Sequence, residues 1–131
     1  MAANTKRDLV IDASFVLSFL MPDEYQEEVH HLFNQYQSGL INFVTSQLMY
    51  FEAVNGLRTA LMRKRLTLEY AKERVEELLD YEIDLKEVDL KEALLLGEKH
   101  NLTVYDASYL YLAKSQNLPL LTLDEKLKKL S

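Results

Sequence analysis

Four acidic residues stand where acids are costly. Asp12 follows the apolar run "LVI", Asp106 sits inside "VYDASYLYLA", and Asp124 stands two residues after Thr122 at the end of "LPLLTL". Asp12 and Asp106 share a local text, Asp-Ala-Ser and then an aromatic, set among apolar residues. An Asp between a strand and a helix is commonly an N-cap, and for Asp124 alone that is the simpler reading. The apolar surroundings of Asp12 and Asp106 weaken it for those two. The fourth acid, Glu52, lies in "LMYFEAVNGLRTAL". At ~100° per residue, Met49, Tyr50, Ala53, Val54, Leu57, Ala60 and Leu61 form a broad apolar arc. Glu52, Asn55 and Thr59 form a narrow polar stripe beside Leu48 and Phe51. The stripe is short-chained and mostly uncharged, more like a pocket lining than a solvated helix face. Converging carboxylates repel: two unit charges ~5 Å apart at an effective dielectric of ~20 cost roughly 3 kcal/mol. A cation offsets that repulsion. An all-oxygen, acid-rich site without Cys or clustered His suits Mg²⁺ or Mn²⁺. Such ions activate water or clamp a phosphate in phosphodiester hydrolysis.

The elements that must position these acids are legible in the hydrophobic pattern. Leu9–Ile11, "INFVTS", "EIDLKEV", Thr103–Tyr105 and "LPLLTL" read as strands. Between them lie helical patterns: Phe15 to Met21, a second ending before Gly39, Gln47 to Arg65, a fourth starting at Thr67, a fifth opening on Asp89, and Ala107 to Gln116. Thr67 and Asp89 are N-cap candidates, and Asn101 is a left-handed stop. In the fourth helix Leu68, Ala71, Val75, Leu78 and Leu79 are assigned to one face. "DEKLKKLS" closes the chain as a short amphipathic helix. Alternating strands and helices, with apolar strands, predict an α/β domain whose parallel sheet is covered on both faces. Ligands of such sheets bind beyond the carboxyl ends of the strands. Asp12, Asp106 and Asp124 all follow strands in this reading, so they share that edge.

Composition sets the outer limits. A chain of 131 residues with 48% apolar and 27% charged residues suits one folded domain. Residues 1–7 read as a short tail and 8–131 as the domain. Without Cys there is no disulfide, zinc-thiolate site or cysteine nucleophile, which fits a reducing cytoplasm. The longest apolar stretch, Leu9 to Met21, is broken by Asp12 and is too short for a membrane span. A net charge of −6 disfavours bulk electrostatic binding of nucleic acid. The clearest basic run, Arg58, Arg63, Lys64 and Arg65, could supply local phosphate contacts, though cations also complement a helix C-terminus. Only three glycines are present and there is no GxxxxGK, which removes a nucleotide P-loop.

Taken in order, these segments resemble the PIN domain, the nuclease fold of VapC-type toxins. "LVIDASFVL" is similar to the family's first strand and acid, with Ser14 as companion. "YFEAVNGLRTAL" is similar to its Glu helix, with Asn55 three residues on. "LTVYDASYLYLAKSQNLPLLTLDEKL" is similar to its C-terminal signature, ending in Thr-x-Asp. The resemblance implies a three-layer α/β/α sandwich with a five-stranded sheet in the order 3-2-1-4-5. It also implies a divalent metal and endoribonuclease activity, commonly in a dimer neutralised by a small antitoxin. On that pattern Asp12 and Asp106, on neighbouring strands, are inner metal ligands. Glu52 binds metal or orients the attacking water, and Asp124 is an outer ligand. Ser14 and Thr122 would bond a carboxylate or a phosphate oxygen, or serve as turn and cap residues. Asn55 would orient Glu52, touch substrate or pack. The "YLYLA" tyrosines and Tyr50–Phe51 fit a dimer or antitoxin surface, or the core.

Two rival classes remain in view. One is a PIN-like binding module whose acids hold an ion or a basic partner without catalysis. The other is a different acid-dependent α/β fold. A haloacid-dehalogenase-type phosphatase needs a second Asp where Ser14 stands. A receiver domain needs paired acids at the first strand, and Ile11 precedes Asp12.

Overall fold

The computed structural model describes residues 6–131. Its centre is a parallel sheet. Strand β1 (Arg7–Ile11) lies between β2 (Ile41–Ser46) and β4 (Leu120–Leu121), with β3 (Asp84–Lys86) outside β2. In register, Val10 stands beside Val44 on one side and Leu120 on the other. The seven α-helices are α1 (Ala13–Leu20), α2 (Glu27–Gln37), α3 (Leu48–Met62), α4 (Leu68–Asp80), α5 (Leu90–His100), α6 (Val104–Ser115) and α7 (Glu125–Leu130).

Period-two alternation divides the strands between two cores. Leu9, Ile11 and Phe43 pack against Phe15 and Leu20 of α1, Phe33 of α2, Met49, Ala53 and Leu57 of α3, and Leu78 of α4. Val10 and Val44 turn the other way, onto Leu112 and Ala113 of α6, and α5 packs on α6. Three layers result. The first core is rich in aromatics: Phe33 meets Phe43 at a centroid distance of 5.0 Å, and Tyr36 stacks on Phe43 at 4.7 Å. Each such pair adds about 0.5–1.5 kcal/mol beyond burial. Helices α1 and α3 cross closely, because a Cβ on Gly56 would fall 2.5 Å from Leu17 Cδ1.

The expected caps form. Thr67 accepts from Tyr70 N–H, Asp89 accepts from the N–H groups of Lys91 and Glu92, and Asn101 is left-handed with φ 55°. Gly39, at φ +79°, makes the turn from α2 to β2 that an L side chain would strain.

The sheet differs from expectation in one strand. Thr103–Tyr105 is not a strand: Thr103 caps α6, its Oγ1 accepting from Asp106 N–H at 3.1 Å. The β-favouring pair Val104–Tyr105 is overruled by this cap, and only Leu102 and Thr103 separate the left-handed stop of α5 from α6. That link runs tight against α5, since a Cβ on Gly97 would lie 3.0 Å from Leu102 O. Asp106 therefore stands in the first turn of a helix rather than at a strand end, and the neighbour of β1 is β4, which Thr122 directly follows. The sheet has four strands in the order β3-β2-β1-β4. Two smaller corrections follow. Leu68 and Leu79 of α4 are exposed, while Ala71 and Leu78 face the core. Arg7, placed in the tail by the sequence reading, belongs to β1. Residues 1–5 of that tail lie outside the described residues.

Candidate functional site

Asp12 is the most enclosed of the acids, 3% exposed at the carboxyl end of β1. Oδ1 accepts from Ser14 Oγ at 2.7 Å and from Phe15 N–H at 3.0 Å, which also caps α1. Oδ2 accepts from Thr122 Oγ1 at 2.5 Å. Thr122 reaches it because β4 pairs with β1, Ile11 standing beside Leu121. Ser14 Oγ in turn accepts from Leu123 N–H, and Thr122 Oγ1 from Asp124 N–H. Both hydroxyl protons are thus directed at Asp12, and the loop after β4 is stitched to the loop after β1. Burial pushes the Asp12 carboxyl above its ordinary value, and repulsion from Asp124 adds to this; the three hydrogen bonds act against it.

The other acids gather round it. Asp106, half-buried in α6, is also pushed up, first by burial and then by Asp124 and Asp12, with Lys126 opposing. Lys126 is held nearby by donating to Asn101 O at 2.7 Å. Asp124 is exposed and accepts from Leu127 N–H, so it caps α7 while its charge acts on Asp12 and Asp106. Glu52, half-buried in the second turn of α3, is pushed up by burial and by Asp106 and Asp12. Its Oε1 accepts from Tyr109 OH at 2.5 Å. Asp12, Glu52 and Asp106 thus each sense another of the acids, although Glu52 and Asp106 stand within helices while Asp12 and Asp124 cap them.

The supporting residues divide. Ser14 and Thr122 touch Asp12 directly. Asn55 does not bond Glu52: it is exposed and lines an open cleft with Leu48, Phe51, Glu52 and Tyr105. Arg58, Arg63 and Lys64 are exposed, but Arg63 lies eleven residues along α3 from Glu52, ~16 Å at 1.5 Å per residue. Arg65 is committed elsewhere. It bonds both oxygens of Asp23 at 2.8 and 2.9 Å and Glu24 at 2.8 Å, tying the end of α3 to the turn after α1. It is therefore not a free phosphate contact.

Sequence reasoning overlooked Tyr109 and Lys126 as neighbours of the acids. Tyr109 is 1% exposed and sits in an apolar run, where a tyrosine reads as core filling. The available signal was its place three residues after Asp106, one helical turn on. Burial and the adjacent Glu52 push its phenol far above the ordinary range, so it remains a proton donor. The same holds for the "YLYLA" tyrosines as a surface: Tyr109 is core, whereas Phe51 is 80% exposed.

The donor set is chemically apt for a hard divalent ion: oxygen only, acid-rich and mutually repelling. Among the described residues, however, no three His, Cys, Asp or Glu side chains close into a ready-made ion cluster. The acids are close enough to shift one another but not to form a complete protein shell. That fits an ion held by one or two carboxylates with water completing its sphere, as Mg²⁺ commonly is.

The chain that brings Asp12, Glu52, Asp106 and Asp124 together matches the PIN domain model over residues 9–131. The chain belongs to the PIN domain family. It is similar to the protein named Ribonuclease VapC3 of Pyrobaculum aerophilum, with 36% identity over 124 residues and 91% of each chain covered. It is also similar to the crystal structure of PAE2754 from Pyrobaculum aerophilum. There the TM-score is 0.77 at 25% identity, covering 95% of this chain and 80% of that one.

Proposed function

We propose that the protein is a metal-dependent endoribonuclease that cleaves RNA phosphodiester bonds as the toxin of a toxin–antitoxin pair. The observation that carries this reading is the gathering of four acids in a PIN-family fold: buried Asp12 at the end of β1, with Asp124 acting on Asp12 and Asp106, and Asp12 and Asp106 acting on Glu52. The name of its relative, Ribonuclease VapC3, supports the same reaction class.

Asp12 and Asp106 are the inner ligands in this reading, Glu52 a ligand or the orienter of the attacking water, and Asp124 an outer ligand through water. A bound Mg²⁺ or Mn²⁺ would polarise the phosphate and make water a better nucleophile. Asp12 is fixed by three hydrogen bonds, so it needs little reorganisation to hold its place. Glu52, with its raised proton affinity, is suited to take the proton of the attacking water. The water oxygen then bonds to phosphorus, the P–O bond to one ribose oxygen breaks, and that oxygen leaves as a hydroxyl after taking a proton from solvent water. Arg63, the C-cap of α3, continues the line of Glu52, Asn55 and Thr59 and in this reading contacts a phosphate a few nucleotides away. Arg58 and Lys64 flank it.

An RNA substrate places the protein in the cytoplasm, and no helix of the described residues is long and apolar enough to cross a membrane. Exposed Phe51, Leu90, Leu94 and Leu95 are apolar surface suited to a second copy or to an antitoxin. The second reading, a non-catalytic module, draws on the incomplete ion cluster. Incubating antitoxin-free protein with structured and single-stranded RNAs separates the two. Cleavage in Mn²⁺ that EDTA stops supports the enzyme, and intact RNA throughout supports the module.

A further inference from the structure

We propose that Tyr109 is a positioning residue for Glu52, its buried phenol holding the carboxylate turned toward Asp12 and Asp106. This inference rests on the ribonuclease reading above and extends it to a residue outside the four acids.

Three observations carry it. The bond from Tyr109 OH to Glu52 Oε1, 2.5 Å long, spans 57 residues of sequence and links α6 to α3. It is therefore a tertiary contact rather than a consequence of local helix geometry. Secondly, Tyr109 packs in the core with Ile11, Phe15 and Met49, where phenylalanine would pack as well. A hydroxyl there is costly unless bonded, and it donates to Glu52. Thirdly, the ring is 1% exposed, and the core side chains around it fix its place. It cannot turn away without losing that packing. Glu52, a flexible side chain on an exposed turn, thereby gains a fixed orientation at the one oxygen that faces the core. Asn55 does not supply this, since it is exposed and does not bond Glu52. Partners one shell outside a metal ligand typically change affinity or activity 10–100-fold when removed.

The test is Tyr109→Phe, read by Mn²⁺ titration calorimetry, thermal melting and steady-state RNA cleavage. The expected result is a Kd for Mn²⁺ raised ~10-fold or more, with kcat lowered and KM for RNA within ~2-fold. In a Glu52→Gln background the same change should have no further effect on Mn²⁺ affinity, which a merely structural tyrosine would not reproduce. Mn²⁺ affinity and kcat within ~2-fold of the parent would overturn the inference alone. A parent protein that neither binds Mn²⁺ nor cleaves RNA would overturn the ribonuclease reading and this inference with it. Should Tyr109→Phe not fold, replacing Tyr109 by 3-fluorotyrosine keeps the ring and alters only the donor strength of the phenol. A shifted Kd for Mn²⁺ is then expected, and an unchanged Kd counts against the proposal.

Discussion

Asp12 performs two tasks with one carboxylate. It caps α1 through Phe15 N–H and, on the proposed mechanism, holds the metal. Asparagine keeps a cap acceptor but loses the charge, and its amide hydrogens must face either Thr122 or the donors at Oδ1. Asp12→Asn is therefore expected to remain folded by circular dichroism while losing Mn²⁺ binding. The acids also give the metal-free protein a pH dependence of definite sign. Asp12, Glu52 and Asp106 hold their protons more tightly when folded than at their ordinary values of 3.8, 4.5 and 3.8. Their protonated forms favour the fold, so this contribution is complete below those values and is lost as pH rises through the raised ones. In EDTA, melting temperatures should fall as pH rises above the ordinary carboxyl values, and Glu52→Gln or Asp106→Asn should flatten that fall. Saturating Mn²⁺ should restore stability at neutral pH in the parent but not in Asp12→Asn. A parent whose melting point ignores both pH and Mn²⁺ would contradict the raised carboxylates.

Helix α6 shows how local chemistry decides an element. Thr103 is a cap, and Thr103→Ala should cost about 1 kcal/mol, a fall of about 4 °C in melting temperature for a chain of this size. Because Thr103 Oγ1 fixes Asp106 N–H, cleavage should drop by more than stability alone explains; unchanged kinetics would show that the cap does not position Asp106. The same residue explains what the sequence concealed. "TVYD" carries both a strand signal, Val-Tyr, and a helix-start signal, Thr-x-x-Asp, and the short link from Asn101 left room only for the helix. Glu52 was legible because its polar stripe broke an otherwise apolar arc. Ser14 and Thr122 were legible as companions of the acids, but not that both serve Asp12. That depends on β4 pairing with β1, a long-range fact no local pattern carries. Tyr109 stayed hidden because a buried phenol and a buried phenyl leave the same hydrophobic trace.

At the scale of the whole molecule, the tension is a net charge of −6 on a protein proposed to bind RNA. On the proposed function, a metal at the acid edge and the exposed cations in and just after α3 would be the two means of local reversal. Replacing Arg58, Arg63 and Lys64 by Ala should raise KM, leave kcat nearly unchanged and flatten the salt dependence of RNA binding. An unaltered salt slope would remove these residues from the RNA path. Arg65→Ala should instead lower stability, because it leaves Asp23 and Glu24 unpaired. Light scattering on the purified protein addresses the exposed apolar surface of α3 and α5: a dimer is expected, and a monomer at high micromolar concentration would rule out self-association through that surface. The most direct measurement is cleavage of an RNA panel by antitoxin-free protein in Mn²⁺, parent beside Asp106→Asn, with both shown folded. Cleavage by the parent that EDTA abolishes and Asp106→Asn lacks is the predicted result. Equal cleavage by both, or cleavage that persists in EDTA, would contradict a metal-dependent site built on these acids.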